Sequence, residues 1–173
     1  MTVTILRLGH RPERDFRVST HVGLVARAFG ADAIVYSGAF DPKMLGSVQS
    51  VASEWGGPFK VDYEANWKRF LKKFKGTKVQ LTMYGLPLHS KIGEIKKAKN
   101  LLVIVGGEKV PGEVYSLVNH NIAVTNQPHS EIAALAVFLH ELADRKWKES
   151  FEKAKKKIKP QAAGKVVVKN VKR

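Results

Sequence analysis

The chain contains no cysteine. That excludes disulfides, thiolate zinc sites and thiol nucleophiles, and no metal is expected. It also lacks a run of about 18 apolar residues, the least that a membrane-spanning helix requires. Its first residues, "MTVTILRLGHRPERD", alternate and then turn charged, unlike a secretory leader. A cytoplasmic protein with no membrane association is the expectation. Acidic residues are scarce: fifteen Asp and Glu face thirty Lys and Arg, a formal charge of +15. A thermophile's ion-pair surface would be nearer to balance. The excess suits a polyanion, because Lys and Arg release counterions when they neutralise phosphates, whatever the base sequence. From Arg145 to Arg173, twelve basic residues stand against two acidic ones, a local charge of +10. A membrane surface is the poorer fit for that stretch.

What the chain does have is 173 residues, 44% of them hydrophobic, enough for one domain with a substantial core. Segments of strand and helix character alternate, which predicts an α/β fold: a mostly parallel sheet with helices on both faces. Strands are expected at 3–9, 31–38, 78–85 and 101–105, with shorter ones in "PFKVDY" and "NIAVTNQ". Residues 15–30 read as a helix stopped by Gly30, and Asp41-Pro42 as the cap and first position of another. "HSEIAALAVFLHELADRKWKESFEKAKKKIK" reads as one long helix, apolar first and basic later, and "GKVVVKNVKR" as a final strand or hairpin. A main domain over 1–145, followed by a basic helix end and tail over 146–173, is the expected organisation.

Three strand ends stand out: "TMYGLPL" (82–88), "VIVGGEKVPGE" (103–113) and "IAVTNQPHSEIA" (122–133). Open parallel sheets bind ligands beyond the carboxyl ends of their strands, and glycines there let the backbone approach a ligand closely. The loop "GGEKVPGE" is neither G-x-x-x-x-G-K-[ST] nor G-x-G-x-x-G, so phosphate cradling is not indicated. Glu108, with Lys109 its only basic neighbour, suits a neutral or weakly cationic ligand. Ser130 and Glu131 are helix-start residues, which capping alone would explain. Asn126 and Gln127 can present amides to a flat heterocycle, whereas His129 has no acidic partner nearby in sequence. Near the N-terminus, Arg7, Arg11, Arg14 and Arg17 read as phosphate contacts or surface charge. Arg27, set among Val25, Ala26 and Ala28, is either a site residue or an Arg that snorkels past an apolar face.

Together these stretches resemble the archaeal branch of the SPOUT methyltransferases, and most of all the tRNA (cytidine-56) ribose 2′-O-methyltransferases. "GHRPERDFRVSTHVGLVARAFGA" is similar to the family's first motif, an amide or imidazole residue followed six positions later by Arg, here His21 and Arg27. "LLVIVGGEKVPGEVY" is similar to the second, a strand running into a Gly-rich loop, and "IAVTNQPHSEIAALAVFLHEL" to the third. The third departs from the pattern Ser-Leu-Asn-Val-Ser, reading Ser130-Glu131-Ile132-Ala133-Ala134. The resemblance covers about residues 1 to 145. It implies a deep trefoil knot in the C-terminal half, a homodimer with its sites by the interface, tRNA as substrate and S-adenosyl-L-methionine as cofactor.

For the cofactor it implies Leu86, Gly106, Gly107, Glu108, Lys109 and Val110, together with Val124, Thr125, Asn126, Gln127, Pro128, His129, Ser130 and Glu131. It makes His21 and Arg27 the catalytic candidates, with Arg27 either losing its proton to act as base or staying charged beside the developing alkoxide. Arg7, Arg11, Arg14 and Arg17 are the candidate RNA contacts, with the Lys-rich 153–159 stretch behind them. The alternatives are a related methyltransferase acting on another tRNA or rRNA position, and an RNA-binding α/β domain without catalysis.

Overall fold

The computed structural model describes residues 1–107, 109–144 and 150–169. Its centre is the strand β1 (Thr2–His10), flanked by β2 (Ala33–Gly38) and β5 (Asn100–Gly106). With β3 (Lys60–Tyr63), β4 (Thr77–Pro87) and β6 (His120–Ala123) the sheet runs in the order β3-β2-β1-β5-β4-β6, and every neighbouring pair is parallel. Parallel strands need a crossover each time, and the helices that supply it cover both faces. That is why Leu101 to Ile104 are all fully buried rather than alternately so.

The larger core lies under α1 (Pro12–Ala28), α2 (Pro42–Trp55), α4 (Leu88–Ile95) and α6 (Glu131–Leu142). The smaller one joins Leu6, Leu8, Leu102 and Ile104 to α3 (Trp67–Lys73) and α5 (Val114–Leu117). Helix starts follow local chemistry. The Asp41 carboxylate accepts the Met44 N–H at 2.9 Å to cap α2, with Pro42 next, as expected. Asn66 caps α3 and Ser130 caps α6 in the same way.

The long C-terminal helix is a correction. α6 stops at Leu142, and Asp144 takes a positive φ of 51°. Residues 145–149 lie outside the described part. The Lys-rich segment is not helical: Lys156–Lys159 forms β7, paired antiparallel with β8 (Val166–Lys169), a strand within the stretch read as a final strand or hairpin. A helix would stack neighbouring lysines on one another, whereas the hairpin sets Lys157, Ile158 and Lys159 opposite three valines. The segment is tied to α2, with the Gly57 N–H donating to Glu152 O and the Lys155 N–H to Glu54 O, both at 2.9 Å, and Ala154 is buried.

Close packing of α1 depends on Gly23. A Cβ there would sit inside contact distance of the Tyr36 hydroxyl and about 2.8 Å from a Val48 methyl. Gly23→Ala is expected to destabilise the protein by about 1–3 kcal/mol through overpacking, although alanine favours helix. Urea unfolding of the two proteins checks this, and equal or greater stability of the variant would contradict it.

Candidate active site

The carboxyl ends of β5 and β4 open onto one cleft. Its walls are Leu81 to Tyr84, Val105 to Gly107, Val110, Tyr115, His129, Glu131 and Ala134. All three strand-end stretches therefore meet. Between its two registers with β6, β4 makes an excursion: Leu81 and Leu86 both pair with Ile122. Gly85 lies so close to the Asn121–Ile122 peptide that a Cβ would fall about 2.5 Å from it. The Asn126 amide pins the third stretch to this excursion, donating to Met83 O at 2.7 Å and Gly85 O at 3.0 Å. The Tyr115 hydroxyl lies 3.2 Å from Thr82 Oγ1 and joins the second stretch to the first.

At Gly106 a Cβ would collide with Val110, so this glycine lets its own loop fold back. Gly107 faces Arg7, whose Nη2 would lie 3.4 Å from a Cβ. Arg7 is fully buried, behind the cleft and not on the surface, which corrects its expected role as an RNA contact. It shares the parity of Val3 and Ile5, residues of the larger core, so the strand carries it inward. Its Nη1 donates to Leu8 O at 2.7 Å and its Nη2 lies 3.6 Å from a Glu131 carboxylate oxygen. Nε and Nη2 have no hydrogen-bond partner among the described residues. Burial pushes the Arg7 pKa below its ordinary value, against the pull of Glu131 and Asp15.

Of the other expected cofactor residues, Gly106, Gly107, Val110, His129 and Glu131 line the cleft. His129 Nδ1 lies 2.6 Å from Gln127 O, which shapes the loop. Val124 packs on the core, while Thr125 to Ser130 and Lys109 are exposed. Glu108 falls outside the described residues. Leu86 is exposed and faces a separate hollow, with Lys91 and His120, rather than this cleft.

Arg27 and His21 are not brought to this cleft. Helix α1 runs back from the carboxyl end of β1, so its last turn lies at the amino end, where the Asp32 N–H donates to Val3 O. Gly106 is level with Leu8, five residues and roughly 17 Å farther along β1. Arg27 donates from Nη2 and Nε to Gly56 O, at 2.8 and 3.2 Å, and stacks on Phe151 with Cζ 4.6 Å from the ring centroid. Burial lowers its pKa. His21 is exposed partway along the helix. It is the start of α1 that reaches the carboxyl edge, with Arg11, Arg14 and Arg17 exposed there and Arg11 paired to Asp15 at 2.9 Å. That bond is the first cause of the lowered Asp15 pKa.

A buried polar chain braces the same edge. His10 Nδ1 lies 2.8 Å from Ser19 Oγ, and Nε2 lies 3.2 Å from an Asp41 carboxylate oxygen. It links β1, α1 and the cap of α2, and it went unread because its three members lie far apart in sequence. Burial raises the Asp41 pKa, but the Met44 and Lys43 N–H groups and His10 outweigh it, and the net shift is downward.

An open parallel sheet with helices on both faces and a backbone-lined cleft at its carboxyl edge defines an α/β ligand-binding enzyme class. Solved RNA methyltransferases share the fold. One is the SpoU methyltransferase AviRb from Streptomyces viridochromogenes, solved with AdoMet (TM-score 0.58, 13% identity, 84% of this chain and 57% of that one). Another is an RNA 2′-O ribose methyltransferase (TM-score 0.60, 14% identity, 83% and 55%). The chain spans less than two thirds of either. Within that class, the family described as tRNA ribose 2′-O-methyltransferase, aTrm56, matches residues 55–168. Proteins named tRNA (cytidine(56)-2′-O)-methyltransferase are similar over almost the whole chain. That of Pyrococcus horikoshii is 53% identical, over 96% of this chain and 84% of its own length. That of Archaeoglobus fulgidus is 53% identical, over 97% and 99%. The chain belongs to this archaeal tRNA ribose 2′-O-methyltransferase family. The family match reaches through the hairpin, beyond the 1–145 span of the resemblance.

Two outcomes follow for residues at this edge and its far end. Arg27→Ala is expected to cost about 2 kcal/mol in denaturant unfolding, as a charged donor to Gly56 O and a ring contact are lost, while turnover per folded molecule stays near wild type. A collapse of turnover with stability unchanged would reinstate it as catalytic. Asp41, with its folded pKa depressed, stabilises the protein fully above the ordinary carboxylate value and less as pH falls through the folded one. Asp41→Asn should therefore flatten the acid side of the stability curve, and an unchanged slope between about pH 5 and 2 would contradict that.

Proposed function

We propose that the chain moves a methyl group from S-adenosylmethionine to the ribose 2′-hydroxyl of cytidine 56 in tRNA. The convergence of three strand-end stretches on one cleft carries this reading, and the names of its relatives supply the target. The residues fit the cofactor. Gly106 and Gly107 contribute backbone to one wall, Met83, Tyr84 and Tyr115 offer soft and aromatic surface, and Glu131 places a partly exposed carboxylate where a cationic ligand would be favoured. When bound, S-adenosylmethionine supplies an electrophilic methyl on a sulfonium.

The chain's own part is alignment and charge. Arg7 holds Glu131 from behind and Asn126 fixes the loop, so that the 2′-oxygen, methyl and sulfur can be kept in line. An Arg is a poor base, with a pKa above about 12. The first turns of α1 instead offer guanidinium groups that stay charged beside the developing alkoxide and the adjoining phosphates. Arg11, Arg14 and Arg17 guide the tRNA in, and the lysines of the β7–β8 hairpin extend the basic surface. A homodimer, and a knot where residues 120–126 pass the 82–87 excursion, belong to the same reading, and the close approach of Gly85 to Asn121 supports the latter.

Calorimetry with S-adenosylmethionine, followed by mapping of methylated riboses on unmodified tRNA, tests this. Saturable binding and a single new methyl at cytidine 56 are expected. A methyl elsewhere would replace the target, and tight tRNA binding without cofactor binding would replace the enzyme with an RNA-binding domain. Arg14→Ala and Arg17→Ala are each expected to weaken tRNA binding and to lower its salt slope by about one, a change that titration at several salt concentrations reads directly.

A further inference from the structure

An aromatic residue is displayed at the same edge, outside both cores. Phe40 follows the carboxyl end of β2 and is 60% exposed. Both of its flanks are rigid. Gly38 has a φ of +109° and no room for a Cβ beside the His10 backbone, and the Ala39 N–H donates to His10 O at 2.9 Å. On the other side, Asp41 is held by His10 and by the Met44 N–H. The Phe40 ring meets Tyr63 edge-on, with centroids 5.0 Å apart, and the Tyr63 hydroxyl is itself fixed by donating to Gly38 O at 2.8 Å. Away from Tyr63, Phe40 borders a hollow with Phe16, Glu13 and Lys43, the last lying 5.7 Å from the Phe16 ring centroid.

We propose that Phe40, braced by Tyr63, is a stacking platform for an unstacked nucleobase of the tRNA, next to the ribose being methylated. The proposal rests on the tRNA methyltransferase reading above. Three features select a base as the occupant. A flat ring held without freedom loses little entropy when a base stacks on it. Lys43 shares the rim with Glu13 and Asp41, and Arg14 stands exposed on the first turn of α1, so cationic groups for the flanking phosphates lie beside the hollow and not in it. Glu13 on the same rim disfavours a phosphate in the hollow but can accept a hydrogen bond from the exocyclic amino group of a base. Position agrees as well. β2 and β5 are separated only by β1, roughly 10 Å across the sheet, and Gly38 is level with His10, two residues or roughly 7 Å beyond the level of Gly106, so the platform lies about two nucleotides away.

The test compares the full-length wild type with Phe40→Ala and Phe40→Trp, using unmodified tRNA. Phe40→Ala should weaken tRNA binding about tenfold and raise KM for tRNA, while leaving its salt slope and the affinity for S-adenosylmethionine unchanged, because stacking releases no counterions. Phe40→Trp should restore binding, and the melting temperatures should agree because the side chain is exposed. Wild-type tRNA affinity in Phe40→Ala would overturn the platform. So would a loss of affinity that tracks dissociation of an oligomer in sedimentation, which would make a second copy of the chain the occupant. Failure of the wild type to bind the cofactor or to methylate would instead overturn the enzymatic reading, and the binding arm would still decide the fate of Phe40.

Discussion

Every neighbouring pair in the six-stranded sheet is parallel, and the rest of the molecule follows from that. A parallel pair cannot be closed by a tight turn, so each strand must leave at the carboxyl edge and return by a helix or long loop. Loops after β1, β2, β4, β5 and β6 thus lie along one edge, however far apart they are in sequence. Side-chain bonds then fix their relative heights. Asn126 reaches two carbonyls of the β4 excursion, His10 reaches across to α1 and the cap of α2, and Arg7 sits under the loop after β5 and the start of α6. The cleft is a meeting place of strand ends, and most of its lining is apolar or bare backbone.

The opposite edge has a different task. The amino ends of the strands and the last turn of α1 meet residues 150–159, which return from beyond α6 to lie along α2. Arg27 is central there, since one carbonyl, Gly56 O, takes both of its bonds while Phe151 covers its flat face. Gly56 itself has φ of +75° and would clash with Ala154 if it carried a Cβ. The basic hairpin is therefore mounted on a fixed base and not trailing from the domain, so its lysines hold a defined position relative to the sheet.

Much of this is legible in the sequence, and the exceptions have physical causes. Continuous apolar runs ended by glycine marked the buried strands, because burial on both faces removes alternation. The Asp41-Pro42 start was equally clear. Arg7 was misread because a lone Arg in "VTILRLG" looks like a surface residue, although its parity with Val3 and Ile5 already pointed it inward. Arg27 was misplaced for another reason. Periodicity gives the angle of a side chain around a helix but not which end of a 17-residue helix, about 25 Å long, meets the ligand edge. Direction came only from the sheet: a crossover helix begins at the carboxyl edge and ends at the other. The end of α6 was missed because lysines are good helix formers one at a time, and only pairing with the β8 valines decides otherwise.

None of the described lysines and arginines that contribute to the charge of +15 lines the cleft. A cationic cofactor would be repelled by a site lined with lysine and arginine, yet the tRNA requires such residues nearby. Among the described residues that form the walls, the one charged side chain is Glu131, and the one guanidinium close behind it, Arg7, is directed into that carboxylate and the Leu8 carbonyl. A buried guanidinium with two unbonded N–H edges is costly, of the order of several kcal/mol, and it persists only if the neighbours that partly compensate it hold it in place. The arrangement sets one charge against the other at the base of the cleft, while the exposed arginines at the start of α1 stand along the same edge of the sheet. An incoming polyanion would meet that edge first. Its phosphates would then stay with the arginines while an uncharged ribose hydroxyl alone advances toward the Gly107 backbone, which is the order of approach that transfer to oxygen, and not to phosphate, demands.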